Sequence, residues 1–382
     1  MKVTMNIKTI RLANPSVLGR TLFLTLGISF FFATLPAHSQ GPSTSAPPAV
    51  MRTQKLADGI YTFSFPDLGD FYVEGNCTVV INERDVLVFD TQFLPSSSQK
   101  VLEEIRKLTD KPVRFVVNSH WHPDHWSGNE VYAEAFPDLD IIASRETRDF
   151  MKATGNGFAN LWPGFITQTE KRVSDERRTG KTADGKTLAE KDLKEEEEAL
   201  SLDRKFIEES IHVHRTLPTI AYENQLTFYH GGREFQFFSL VGDALGTTVM
   251  YLPKEKILVT GDVLVHPFPY ATPPISQRID TLKKLLGLDL AMIVPGHGEV
   301  DHDNSSLLLL LHFFETIHDQ VRKLLEQGVV SVEDVQAAVK VEEFRAQFTG
   351  NDKSLNDDFD RTVKALAKTA YREGRDQHEW KN

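Results

Sequence analysis

The chain has 382 residues, 40% of them hydrophobic, a formal net charge of −11 and a single cysteine, Cys77. That is enough apolar material for one large domain with attachments, or for two domains. The acidic balance argues against a nucleic-acid binder, which needs a basic footprint, and one cysteine allows no intrachain disulfide.

The N-terminal 39 residues follow the grammar of a signal peptide. Lys2, Lys8, Arg11 and Arg20 precede the apolar run "LFLTLGISFFFATL", and "PAHSQ" then sets small Ala37 and Ser39 before a cut at Gln40. The run is shorter than the ~20 residues of a membrane span. Export, to a periplasm or beyond, is therefore expected, with no stable membrane span after cleavage. Residues 40–55 are Pro/Ser-rich and read as a flexible leader.

From Ala57 the pattern is strand-rich. "GIYTFSF" and "CTVVINERDVLVFDTQF" read as strands, the second broken by a turn at Asn82–Arg84. "SSSQKVLEEIRKLT" reads as a helix with a serine cap before Gln99. "VRFVVNSH" is a buried strand, Glu130 to Phe136 a helix, "LDIIAS" a strand, and "RETRDFM" opens another helix. Strand–helix alternation of this kind points to a layered α/β domain. Between about 153 and 218 the sheet pattern gives way to charged helix broken by "RTGKTADGKT". Phe158, Trp162 and Phe165 in this insertion either wall a pocket or form the apolar side of a packed helix. Strands resume in "QLTFYHGGREFQFFSLV" and "TTVMYLPKEKILVTGDVL". "SSLLLLLHFFETIHDQVRKLLEQG" has helical spacing and a glycine stop, and residues 329–382 form a helical C-terminal extension.

Chemistry concentrates in "NSHWHPDHWSGN", which crowds His120, His122, Asp124 and His125 into six residues. A strand ends just before it, so His120 and His122, two apart in extended chain, point the same way. Pro123 turns the chain, and Asp124 and His125 face a neighbouring point. Imidazole with carboxylate, and no thiolate, suits zinc, manganese or iron. The loop thus reads as part of a two-metal site of the kind dinuclear hydrolases use.

This motif resembles the signature of the metallo-β-lactamase superfamily, and the likeness runs from about Ala57 to about Gly328. "LVTGDVL" sets Asp262 at that family's bridging-ligand position, and "MIVPGHGEV" sets His297 at its last histidine. The resemblance implies a four-layer αββα sandwich holding two divalent ions, zinc first, with manganese or iron as alternatives. One position departs: where the family has Gly-His-Thr, "SLVGDALGTTVMYLP" puts Asp243. Asp243 either ligates the first metal beside His120 and His122 or merely caps a turn. A ligating carboxylate would harden that site towards manganese or iron and leave a bound water less acidic than three histidines would. Asp90, in "VFDTQ", sits where the family keeps a carboxylate behind a ligating histidine; a strand-end cap is the alternative.

The resulting expectation is an exported, metal-dependent hydrolase, with Asp124 orienting the nucleophile. It acts on the carbonyl of a small substrate, a β-lactam or lactone. Thioester or phosphodiester hydrolysis, or a decayed metal-binding module, are the alternatives. His266, Phe268 and Tyr270, in "VLVHPFPYATPP", are expected to contact substrate.

Overall fold

The computed structural model describes residues 51–66, 73–154, 157–182, 185–272 and 274–379. The expected signal peptide lies outside them, as do the side chains of Phe158, Trp162 and Phe165. No helix among the described residues is long and apolar enough to cross a membrane.

Seven strands form the first sheet: β1 (Arg52–Ala57), β2 (Ile60–Ser64), β3 (Cys77–Ile81), β4 (Val86–Phe89), β5 (Val113–Val117), β6 (Asp140–Ser144) and β7 (Ile220–Tyr222), in that spatial order. β1 to β4 are antiparallel, and β4 to β7 run parallel. Between them lie helices α1 (Pro95–Leu108), α2 (Asn129–Ala135), α3 (Arg145–Thr154), α4 (Gly157–Thr179) and α5 (Glu190–Ser210). β1 begins at Arg52, so four residues expected in the leader are strand. α1 begins at Pro95, ahead of the expected serine cap, and takes no side-chain cap from its own N-cap residue. Glu209 of α5 supplies the acceptor instead, taking the Ser96 backbone N–H at 2.6 Å.

The second sheet has the order β12-β11-β10-β9-β8, from strands β8 (Gln225–His230), β9 (Arg233–Val241), β10 (Leu245–Leu252), β11 (Ile257–Val259) and β12 (Met292–Val294). β8 and β9 form a hairpin that turns at Gly231 and Gly232, both at positive φ. Helices α6 (Ile275–Leu286), α7 (Ser305–Glu326), α8 (Val332–Ala338), α9 (Arg345–Thr349) and α10 (Asn356–Glu379) complete the chain.

Three buried clusters show how these layers stack. Ile60, Leu87, Phe89 and Phe115 of the first sheet meet Phe235, Phe237, Met250 and Val259 of the second. The other face of the first sheet, with Val79 and Val88, packs on Val101, Leu102 and Ile105 of α1 and Tyr132 of α2. The other face of the second sheet, with Val249 and Leu258, packs on α6, α7 and the C-terminal helices through Leu282, Phe313, Phe359 and Leu366. Burying apolar surface on both faces of both sheets produces the expected αββα sandwich. The C-terminal helices are part of that outer core rather than an appendage.

Candidate metal centre

Alternating apolar strands carry the chain to one end of the sandwich and release it into short polar loops there. The loop after β4 brings Asp90, the loop after β5 brings His120 to His125, and the turn after β9 brings Asp243. The ends of β11 and β12 bring Asp262 and His297. Rigid strands aim these loop residues at a common point.

All seven expected ligand residues converge there. His120, His122, Asp243 and Asp262 offer ligand atoms within 4.8 Å of one another, and so do Asp124, His125, Asp262 and His297. His120 Nε2 and His122 Nδ1 are 2.9 Å apart. His122 Nδ1 is 3.0 Å from Asp243 Oδ2, and His120 Nε2 is 3.6 Å from Asp262 Oδ2. In the second group Asp124 Oδ2 lies 3.0 Å from His125 Nε2 and 3.1 Å from His297 Nε2. Asp262 Oδ1 lies 3.3 Å and 3.6 Å from the same two nitrogens. Asp262 therefore turns one oxygen to each group.

Residues behind these groups fix their orientation. Asp90 Oδ2 is 2.8 Å from His125 Nδ1, which leaves Nε2 facing the second group. Its other oxygen accepts the Ser119 backbone N–H at 2.7 Å. Asp90 holds φ +61° while buried, a left-handed conformation a non-glycine residue seldom adopts. It does more than end a strand. Ser119 Oγ sits 2.9 Å from His120 Nδ1, so Nε2 faces the first group. Thr272 Oγ1 donates to both the carbonyl and Oδ1 of Asp243, leaving Oδ2 for His122. Asn118 and Asn129, which bracket the motif, pair at 2.8 Å and hold the loop's ends together. Gly296 is required by proximity: a Cβ there would stand 1.8 Å from Asp262 Oδ1.

Sequence reasoning missed Ser119, Thr272 and Arg278. Arg278 on α6 is 2% exposed. Its guanidinium donates to the Tyr270 carbonyl and lies 4.5 Å over the Phe314 ring. Burial lowers its pKa to about 10, with Asp243 and Asp262 opposing the shift, which makes it a buried cation facing the carboxylates. Nothing in the spacing of α6 marks it. The expected substrate contacts separate. Tyr270 stays at the site, its ring 6.4 Å from His297 and 40% exposed. His266 Nε2 is 3.0 Å from Asp301 Oδ2. Phe268 corrects the expectation: it packs into the outer core, 6.3 Å from the Phe348 ring and 6.5 Å from Phe359. His212 and His214 lie exposed beyond α5, outside both groups.

The electrostatics are those of a cation site. Burial works to raise the Asp262 carboxyl, but His125 and His297 hold it well below the usual range. Burial works to lower His297, yet Asp262 and Asp124 carry it up to about 10. His120 goes the other way, to about 3, through burial and the neighbouring His125. His125 Nε2, Asp262 Oδ1 and His297 Nε2 are buried without a hydrogen-bond partner. Three buried ligand atoms that meet only one another and Asp124, at 3.0 to 3.6 Å and without a well-directed hydrogen bond, are what a divalent ion would satisfy. The donor set, imidazole plus carboxylate, fits zinc, manganese or iron.

Comparison with known proteins follows the same lines. A linear primary-alkylsulfatase from Pseudomonas sp. (strain ATCC 19151) is 24% identical over 267 residues, 66% of this chain and 47% of the relative. The chain thus spans about half the length of that curated relative. The solved stereoselective inverting sec-alkylsulfatase Pisa1 from Pseudomonas sp. superposes with a TM-score of 0.54 at 14% identity, over 85% of this chain and 50% of its own. A metallo-beta-lactamase from Pontibacter korlensis matches over 70% of this chain and 99% of its own, with a TM-score of 0.48 and 16% identity. The sequence model of the metallo-beta-lactamase superfamily matches residues 72–297, more than half the chain. With the sandwich and the two ligand groups in place, the chain belongs to the metallo-beta-lactamase superfamily, whose members are generally hydrolytic metalloenzymes.

Proposed function

We propose that the chain is a dinuclear, divalent-metal-dependent hydrolase of small esters, with alkyl sulfates as its substrate class. The observation that carries the metal reading is the division of Asp262 between two groups of four, one with three buried atoms that lack a well-directed hydrogen bond. His120, His122, Asp243 and Asp262 would hold one ion, and Asp124, His125, Asp262 and His297 the other. Zinc is the first candidate, and manganese or iron suit the carboxylate-rich first group. The curated alkylsulfatase relative supports the sulfate-ester class. The β-lactam or lactone expected from sequence is the competing class. The N-terminal signal grammar supports export.

Two ions bound in this way supply Lewis acidity, acidifying water and offsetting charge on the substrate's oxygens. The chain's own residues do the rest. Asp124 is 14% exposed at its side chain, against 2% for Asp262. It is therefore the more accessible carboxylate, the one placed to orient an incoming water. Tyr270, at the rim, offers its phenol to an oxygen of the substrate. Asp90 favours the Nδ1–H form of His125, Ser119 fixes the orientation of the His120 ring, and Arg278 offsets the charge of the buried carboxylates. An alkyl sulfate would leave as an alcohol and hydrogen sulfate.

The test is a panel of alkyl sulfate, lactone, β-lactam, thioester and phosphodiester substrates, run on protein stripped by chelator and reloaded with zinc or manganese. Hydrolysis of the sulfate ester, lost on stripping and recovered on reloading, is expected. Full activity with metal confirmed absent would overturn the metal reading. Fewer than one metal per reloaded chain would mark a decayed binding module.

A further inference from the structure

His297 leaves the end of β12 on a short loop, and that loop is tied down from two directions. Backbone pairs hold it to the second half of the sandwich: Gly296 N–H donates to the Leu264 carbonyl at 2.9 Å, and His266 N–H donates to the His297 carbonyl at 3.2 Å. The other tie comes from the first sheet. Asn76, immediately before β3 and 6% exposed, donates its side-chain amide to the carbonyls of Pro295 at 3.0 Å and Gly298 at 2.9 Å. Its backbone N–H goes to the Gly296 carbonyl at 2.7 Å. The donors of one buried residue thus end on the carbonyls that flank His297.

The two residues before it reach the rest of the same ligand group. Gly75 N–H donates to the Asp124 carbonyl at 3.2 Å. A Cβ on Gly75 would stand 2.8 Å from His125 Cε1, so bare backbone lies against that imidazole. Glu74, also buried, moors the segment by accepting the N–H of Phe93 at 2.5 Å and of Leu94 at 3.4 Å. The Gln92 side chain donates to the Gly75 carbonyl at 3.2 Å. Each of these contacts falls on the second ligand group or on the loop of Asp90 behind it.

We infer that Glu74, Gly75 and Asn76 form a clasp that sets His125 and His297 relative to each other, with Asn76 the positioning residue for the second ion. The inference rests on the two-ion reading and adds to it that affinity at the second site is set from a strand that supplies no ligand. Metal ligands must be held to within roughly 0.5 Å. Removing the Asn76 amide leaves two buried carbonyls without their donor and frees the loop to shift.

The test has two arms, both on the full chain stripped by chelator. In the first, hydrogen exchange without metal compares residues 295–299 in wild type and Asn76→Ala. Exchange there should quicken about tenfold or more in the variant. In the second, zinc is titrated against a competing chelator, and the binding steps are assigned with His297→Ala, which removes a ligand of the second group alone. Asn76→Ala should weaken the step that His297→Ala abolishes by about 10- to 100-fold, with the other step within about twofold of wild type. In the His297→Ala background it should change nothing further. Gly75→Ala, which drives a Cβ onto the His125 ring, should weaken the same step and serves where Asn76→Ala does not fold. Asn82→Ala removes a different buried asparagine, bonded to Asp85 at 3.2 Å just past the far end of β3. It should lower Tm with both zinc steps intact. Equal weakening of both steps, no weakening in either clasp variant, or the same weakening in Asn82→Ala overturns the clasp. If wild type takes up no second ion, the two-ion reading falls, and the exchange arm then decides the clasp by itself: faster exchange in Asn76→Ala upholds it, and unchanged exchange overturns it.

Discussion

At the residue scale the decisive position is Asp243. A turn cap and a metal ligand are different chemical jobs, and its two oxygens divide them: Thr272 takes Oδ1, and Oδ2 faces His122 at 3.0 Å. If Oδ2 ligates, Asp243→Ala should lower metal content from two towards one per chain and reduce turnover by at least about tenfold. Equal metal content in wild type and variant, purified side by side, would refute ligation. Asp243→His removes one negative charge from the site. Water there becomes more acidic, so the acidic limb of the pH–rate profile should move to lower pH. A limb that stays in place would separate Asp243 from that ionisation. Asp90 makes a parallel case: Asp90→Ala should weaken metal binding about 10- to 100-fold with His125 itself intact, measured by competition with a chelator. His120, His122, Asp124 and His125 were legible as candidate ligands because three histidines and an aspartate in six residues have few other uses, whereas Asp243, Asp262 and His297 were reached only through the family resemblance. Ser119, Thr272 and Arg278 were not, because a hydroxyl or guanidinium becomes a partner only once distant strands meet.

At the element scale, legibility followed length and periodicity. β3 to β6 and α7 are long enough for period 2 or 3.6 to stand out, and their positions were read from pattern. β7 has three residues, too few for alternation to register, and it exists because β6 offers it an open edge. α6 was missed behind the Pro-rich stretch before it, although Ile275, Ile279, Leu282 and Leu285 carry a clear helical stripe. The C-terminal helices were read as helical, but their place in the outer core rests on contacts distant in sequence. Phe359 on α10 is 1% exposed among Phe268, Phe313 and Phe348. Phe359→Ala should therefore cost about 3–5 kcal/mol of stability, read by denaturant unfolding. A loss under about 1 kcal/mol would mean this helix folds apart from the sheet. Gly296 binds element to site: Gly296→Ala drives a Cβ onto Asp262 Oδ1. It should lower metal affinity more than it lowers stability, and wild-type affinity in that variant would show that β12 does not set the position of Asp262.

At the scale of the whole molecule, the two ligand groups tie both sheets to one charge balance, and that balance depends on pH. Without metal, the second group keeps its histidines charged: His297 is carried up to about 10, and Asp124, Asp262 and Asp90 raise His125 well above the ordinary value against the pull of burial. A histidine raised in the folded state binds a proton that the unfolded chain releases near 6.5. Its contribution to stability is complete below pH 6.5 and is lost as pH rises through about 10. A divalent ion replaces that proton, so the loaded protein has no such loss and binding expels protons. Two measurements follow. The difference in Tm between loaded and stripped protein should widen as pH rises from 6.5 towards 10. Calorimetry of metal binding at pH 7.5, in buffers of different ionisation enthalpy, should show net proton release per chain. The sign is fixed by the histidines, since the ligand carboxylates Asp124 and Asp262, held low by the same contacts, have no proton to give at that pH. A constant Tm difference together with no proton release would mean that His125 and His297 are neutral before metal arrives and that the carboxylates around them do not act as their counter-charges.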